Sequence, residues 1–201
     1  MTAVRGVMWL SRDAPRFRAH VAHHTMMAKA NRGLRTPDPR NAIAWRVERQ
    51  VRDALAAHFP PASHAVLRWE ARDLRNRWIQ KFREHDGVFD CADGTRLVLE
   101  VKSSASRSSI DYGLGQLRAS LALTRPLAQR TVGLLAVANL GALSELFGKA
   151  AADPLEDYFP KSSLLVWPPH SVPAVAGSCF VTLVPDDMVR PCLPEPVEVL
   201  S

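Results

Sequence analysis

The chain has 201 residues, 47% hydrophobic and 23% charged, a composition that excludes a disordered or fibrous protein and suits one domain with a conventional core. The formal charge is +6, but residues 1–83 hold 17 Lys and Arg against 6 Asp and Glu, while residues 84–201 hold 9 against 14. An N-terminal surplus of this size attracts polyanions, phosphate backbones foremost, although a solvated arginine-rich face would carry the same charge.

Ser11 and Asp13 precede Pro15 and start a basic helix that runs to about Ala30 and stops at Asn31-Arg32-Gly33. Thr36-Pro37-Asp38-Pro39 is a break and a second start. From there Ile43, Val47, Val51, Leu55 and Phe59 recur every four residues, a stripe that can face one core, and Pro60-Pro61 ends the helix. Residues 64–70 and 75–83 read as strands. Val88-Phe89, an Asp93-Gly94 turn and Leu97 to Lys102 make a β-hairpin. After a Ser-rich loop, Ile110, Leu114, Leu117 and Leu121 have helical spacing, and Thr131 to Ala138 reads as a buried strand. A helix over 141–151 and strands at 163–167 and 178–184 follow. The expected fold is α/β, a mixed central sheet flanked by helices. Its parts are a basic helical arm (1–37), an α/β domain (38–190) and a Pro-rich tail (191–201).

No run approaches the roughly 18 apolar residues of a membrane span, and the start has no secretory apolar region. A soluble, cytoplasmic protein without a membrane partner is therefore expected. Cys91, Cys179 and Cys192 lack CxxC spacing or a Cys/His cluster, so packing roles are expected rather than disulfides or structural zinc.

Two charged residues interrupt the most strand-like segment: Glu100 and Lys102, two apart and so on one face. If the hairpin turns at Cys91 to Thr95, Asp86 approaches both across the ladder. Two carboxylates can hold Mg²⁺ while water and phosphate complete its shell, and a nearby ammonium can orient a nucleophile or stabilise developing charge.

The string His85-Asp86-Gly87-Val88-Phe89, a turn, and Leu97-Val98-Leu99-Glu100-Val101-Lys102-Ser103-Ser104 resembles the PD-(D/E)XK nuclease superfamily, over roughly residues 40–140. The resemblance implies a restriction-endonuclease-like fold and a Mg²⁺-dependent deoxyribonuclease, with Mn²⁺ as a possible substitute. It makes Asp86, Glu100 and the Val101 carbonyl metal ligands, and Lys102 the group that positions the attacking water. Glu48 takes the place of the glutamate that the family's core helix often contributes. Gln116 resembles the Gln motif of the exonuclease-like branch. His85 stands where the family's naming proline would be, and Ser120 where that branch has tyrosine. DNA is the expected partner, with a homodimer or partner protein possible because cutting two strands usually takes two sites.

Two rival readings are a non-catalytic nucleic-acid-binding or assembly subunit that keeps the fold, and an interaction module in which 97–102 merely packs. Other candidates read as structural. Adjacent His23 and His24 diverge by about 100° around a helix and suit a solvated face rather than one metal. Trp45, Trp69, Trp78 and Trp167 fit core packing better than base stacking. Glu84 shares a strand face with Asp86. Gly113 and Gly115 are a weak phosphate-loop signal, and Ser103, Ser104, Ser106 and Ser109 with Arg107 suit a loop as well as a phosphate site.

Overall fold

In the computed structural model, residues 3–32, 39–103, 106–138 and 159–192 are described. The expected helix at 141–151, the break before Pro39 and the tail beyond Cys192 lie outside them. The described residues form a mixed α/β structure with two sheets, one antiparallel and one mixed, and four helices. In chain order these are β1 (Val4–Leu10), α1 (Pro15–Arg32), α2 (Pro39–Ala56), β2 (Val66–Arg72) and β3 (Trp78–Glu84). Then come β4 (Gly87–Asp90), β5 (Arg96–Lys102), α3 (Arg107–Thr124), β6 (Thr131–Ala138), β7 (Leu164–Leu165), β8 (Cys179–Val184) and α4 (Asp186–Val189).

The larger sheet has the order β4-β5-β6-β8-β7. β4 and β5 are antiparallel, whereas β5 with β6, β6 with β8 and β7 with β8 are parallel. β6 is buried at all eight positions, which a central parallel strand covered on both faces requires and which its unbroken apolar run supplies. The α2 stripe is buried as its spacing demands, with Ile43, Val47, Val51, Leu55 and Phe59 all in the core. Each such side chain contributes about 1.5–3 kcal/mol of transfer free energy. Beyond α2 the chain runs along the free edge of β4. The Asp90 N–H donates to the Pro60 carbonyl at 2.9 Å and the Ala62 N–H to that of Val88 at 2.8 Å, so this edge is covered rather than left open to another chain.

The β4–β5 hairpin turns where Asp93-Gly94 placed it. Gly94 has φ 78°, and the Asp93 carboxylate accepts from the Thr95 N–H at 2.9 Å. The smaller sheet, β1-β2-β3, contains a strand that the sequence does not predict, and the short α4 is likewise unpredicted. Val4–Leu10 is a strand paired antiparallel with β2, with an irregularity between Arg5 and Met8, rather than a lead into the helix of a purely helical arm. α1 anchors to this sheet through Phe17, which is buried and packs at 5.9 Å on Phe82 of β3.

Candidate active site

β3 ends at Glu84 and β4 begins at Gly87, so one run of chain passes from the smaller sheet to the larger through His85 and Asp86. Two guanidinium groups hold this bend: Arg12 donates to the His85 carbonyl at 3.2 Å, and Arg52 of α2 donates to the Asp86 carbonyl at 3.1 Å. The pairing of β4 with β5 stops at Gly87 opposite Leu99, which leaves the Val101 N–H without a strand partner on that side. The Asp86 carboxylate takes that place and accepts from the Val101 N–H at 2.7 Å. Because a strand residue's N–H and C=O point to the same side, the Val101 carbonyl also faces this bend.

Glu100 and Lys102 share a face of β5, and Lys102 Nζ donates to Glu100 Oε1 at 2.6 Å. The same ammonium donates to Gln116 Oε1 of α3 at 3.0 Å and lies 5.2 Å from the centre of the Tyr112 ring. Helix and strand can approach this closely because residue 113 is glycine. A Cβ there would lie 2.7 Å from Leu135 Cδ1 and 2.9 Å from Lys102 Cε, inside any real contact distance. Gly113 and Gly115 thus lie within α3 rather than in a loop, Gly113 closely packed and Gly115 with open space beside it.

Three carboxyl groups share this region, and each is pushed toward its neutral form. Burial raises Asp86, opposed by the Val101 N–H, Lys102 and Arg52. Burial and then the charge of Asp86 raise Glu100, opposed by Lys102. Glu48 of α2 is half-buried, and desolvation with the charges of Asp86 and Glu100 lifts it to about 7. Lys102, Arg52 and Arg83 offset this crowding of carboxyl groups in part, and carboxylate oxygens gathered in this way suit a divalent cation. The donor set of two carboxylates and a backbone carbonyl fits a hard, oxygen-seeking ion. Among the described residues, no group of three or more His, Cys, Asp and Glu side chains is arranged to hold a metal.

All five side chains singled out from the sequence, Glu48, Asp86, Glu100, Lys102 and Gln116, fall in this one region, with Val101 between the last two charged residues of β5. Supporting arginines were missed. Arg83 donates to the Gln116 carbonyl at 3.1 Å and to Ser120 Oγ at 2.9 Å, so Ser120 is part of the scaffold of α3. Arg52 was discoverable, because it lies four residues after Glu48 and so on the same helix face.

Other candidates lie elsewhere. Glu84 is exposed and paired with Arg12 at 2.8 Å. Trp167 Nε1 donates to Met188 Sδ, Trp78 packs beneath Arg5 and Arg72, Trp69 lies near Arg83, and Trp45 is exposed. The three cysteines are free thiols. His24 stacks with His20, four residues before it, at 4.3 Å. Ser106 Oγ bonds Ser109 Oγ at 3.0 Å, and Ser104 lies outside the described residues. No described helix is long and apolar enough to cross a membrane. Comparison of the chain with protein-family models, with curated proteins and with solved structures finds no match in any of the three.

Proposed function

We propose that this protein is a Mg²⁺-dependent nuclease of the PD-(D/E)XK type, with a restriction-endonuclease-like fold, that hydrolyses phosphodiester bonds of DNA. The observation that carries the proposal is the meeting of Asp86 with the Val101 N–H between Glu100 and Lys102, while Lys102 also bonds Gln116 of the following helix. A surface ion pair needs none of the other partners.

Asp86, Glu100 and the Val101 carbonyl would hold the cation. Mg²⁺, or Mn²⁺ in its place, supplies a lowered pKa for bound water and neutralises charge on the phosphate. Lys102 has three N–H donors, of which Glu100 and Gln116 accept two. The third can donate to an attacking water or a phosphate oxygen and stabilise charge that grows on it. Gln116 fixes the ammonium so that this donor has a set direction. Glu48, beside Asp86 and Glu100, offers a further carboxylate that can accept a hydrogen bond from water in the cation's shell. The 17 basic residues among the first 83 supply attraction for the phosphate backbone.

A second reading, a nuclease-like subunit that binds nucleic acid without cutting, is favoured by the 2.6 Å pairing of Lys102 with Glu100, which occupies a carboxylate oxygen that a metal would need. The test separates the two. Linear, circular and single-stranded DNA and RNA are incubated with Mg²⁺, Mn²⁺ or EDTA. The nuclease reading expects cleavage that EDTA stops and that Asp86→Ala and Lys102→Ala each abolish while DNA binding persists. Binding without metal-dependent cleavage supports the second reading, and cleavage at parental rate by both variants ends the first.

A further inference from the structure

We propose that His58 and His170 form a binding site for a transition-metal ion of the zinc class, separate from the carboxylate site and independent of the nuclease reading. His58 lies in the turn after α2, where its N–H bonds the Leu55 carbonyl at 3.0 Å and the adjacent Phe59 is buried. His170 follows the buried Pro169 and precedes Val172, which packs against the core. Both imidazoles are exposed, yet each hangs from anchored backbone, so little freedom is lost in bringing them together.

Their Nδ1 atoms face each other at 3.2 Å, with the rings perpendicular and their centres 4.4 Å apart. Two imidazole lone pairs so placed repel unless an electrophile lies between them. A proton on one ring satisfies this as an N–H···N bond, and 3.2 Å is at the long end for such a bond. Tetrahedral zinc with Zn–N bonds of about 2.0–2.1 Å sets its ligand nitrogens ~3.4 Å and the ring centres ~5.2 Å apart, so side-chain rotations that part the two rings by ~0.8 Å admit the ion. Neutral imidazole is a strong ligand for zinc, copper and nickel and a poor one for Mg²⁺, which prefers oxygen. Water would complete the shell. The two ligands are 112 residues apart, so the ion would tie the loop before β8 to the end of α2. Glu48 lies about 12 Å back along α2 from its end at Ala56, which keeps the two sites distinct.

The full-length chain is titrated with ZnCl₂ at neutral pH in excess Mg²⁺, with calorimetric binding and thermal unfolding as readouts. One Zn²⁺ per chain should bind and raise the unfolding midpoint by mass action. His58→Ala and His170→Ala, both surface changes, should each weaken this binding at least about tenfold and remove the shift. A variant lacking the helical pair, His20→Ala with His24→Ala, should keep it. Absence of Zn²⁺ binding by the parent overturns the proposal. So does binding that survives in either His58→Ala or His170→Ala, because a two-ligand site needs both.

Discussion

The two sheets are stabilised in different ways. In the five-stranded sheet, Leu97, Leu99, Val132, Leu134, Leu135 and Val181 are almost wholly buried, and burial of apolar surface is its main source of stability. In the three-stranded sheet most positions of β1 and β3 are half-buried or exposed. There the cross-strand contacts are polar and aromatic: Arg5 with Glu70, Arg68 with the Gly6 carbonyl, and Trp78 beneath Arg5 and Arg72. The candidate site lies where one becomes the other, at His85-Asp86. The lesson is that carboxylates with raised pKa values need the rigid apolar sheet to hold them, while the polar sheet keeps its charge near the surface.

This contrast can be broken from its seam outward. The largest effect is expected at His85, 2% exposed, with neither ring nitrogen bonded and burial lowering its pKa to about 3. The unfolded chain takes up a proton near pH 6.5 that the folded chain refuses. Stability is therefore intact above that pH and falls as pH drops toward 3, by roughly 3–5 kcal/mol in all. Urea unfolding of parent and His85→Phe at neutral and acid pH should show the parent losing more. Next, Leu134→Ala in the buried sheet should cost roughly 2–5 kcal/mol in the same assay.

Glu48→Gln should have the opposite sign. Its folded pKa of about 7 lies above the ordinary 4.5, so the parent loses stability as pH rises through that window. The variant should gain about 1–2 kcal/mol above pH 7, with the gain vanishing below pH 4.5, a figure reduced because the group is half-exposed. The smallest change is expected in the polar sheet. Arg72→Ala removes one guanidinium from the Trp78 ring and should cost about 0.5–1 kcal/mol. Equal losses for Leu134→Ala and Arg72→Ala would mean that the two sheets do not differ as described.

What the sequence made legible follows the same division. The four-residue spacing of Ile43 to Phe59, the apolar run of β6 and the Asp93-Gly94 turn are local patterns tied to burial or backbone conformation, and each reads directly. β1 was not legible: Arg5 and Gly6 interrupt its alternation, and its partner in β2 is more than fifty residues away. The candidate site was legible in its acidic and basic residues because strand alternation and the hairpin register bring Asp86, Glu100 and Lys102 together. Its scaffold was not, since the bonds of Arg12 to His85 and Arg83 to Gln116 span 73 and 33 residues without any periodic signal.

Gly113 has a further meaning. With Lys102 Cε only 2.9 Å from where its Cβ would be, the backbone of α3 abuts the stem of the lysine. No padding separates helix from strand at this point. The reach of the ammonium is thus limited by a wall of main chain. The smallest possible thickening of that wall, a single methyl group, would displace the lysine tip from both its acceptors without altering any charge.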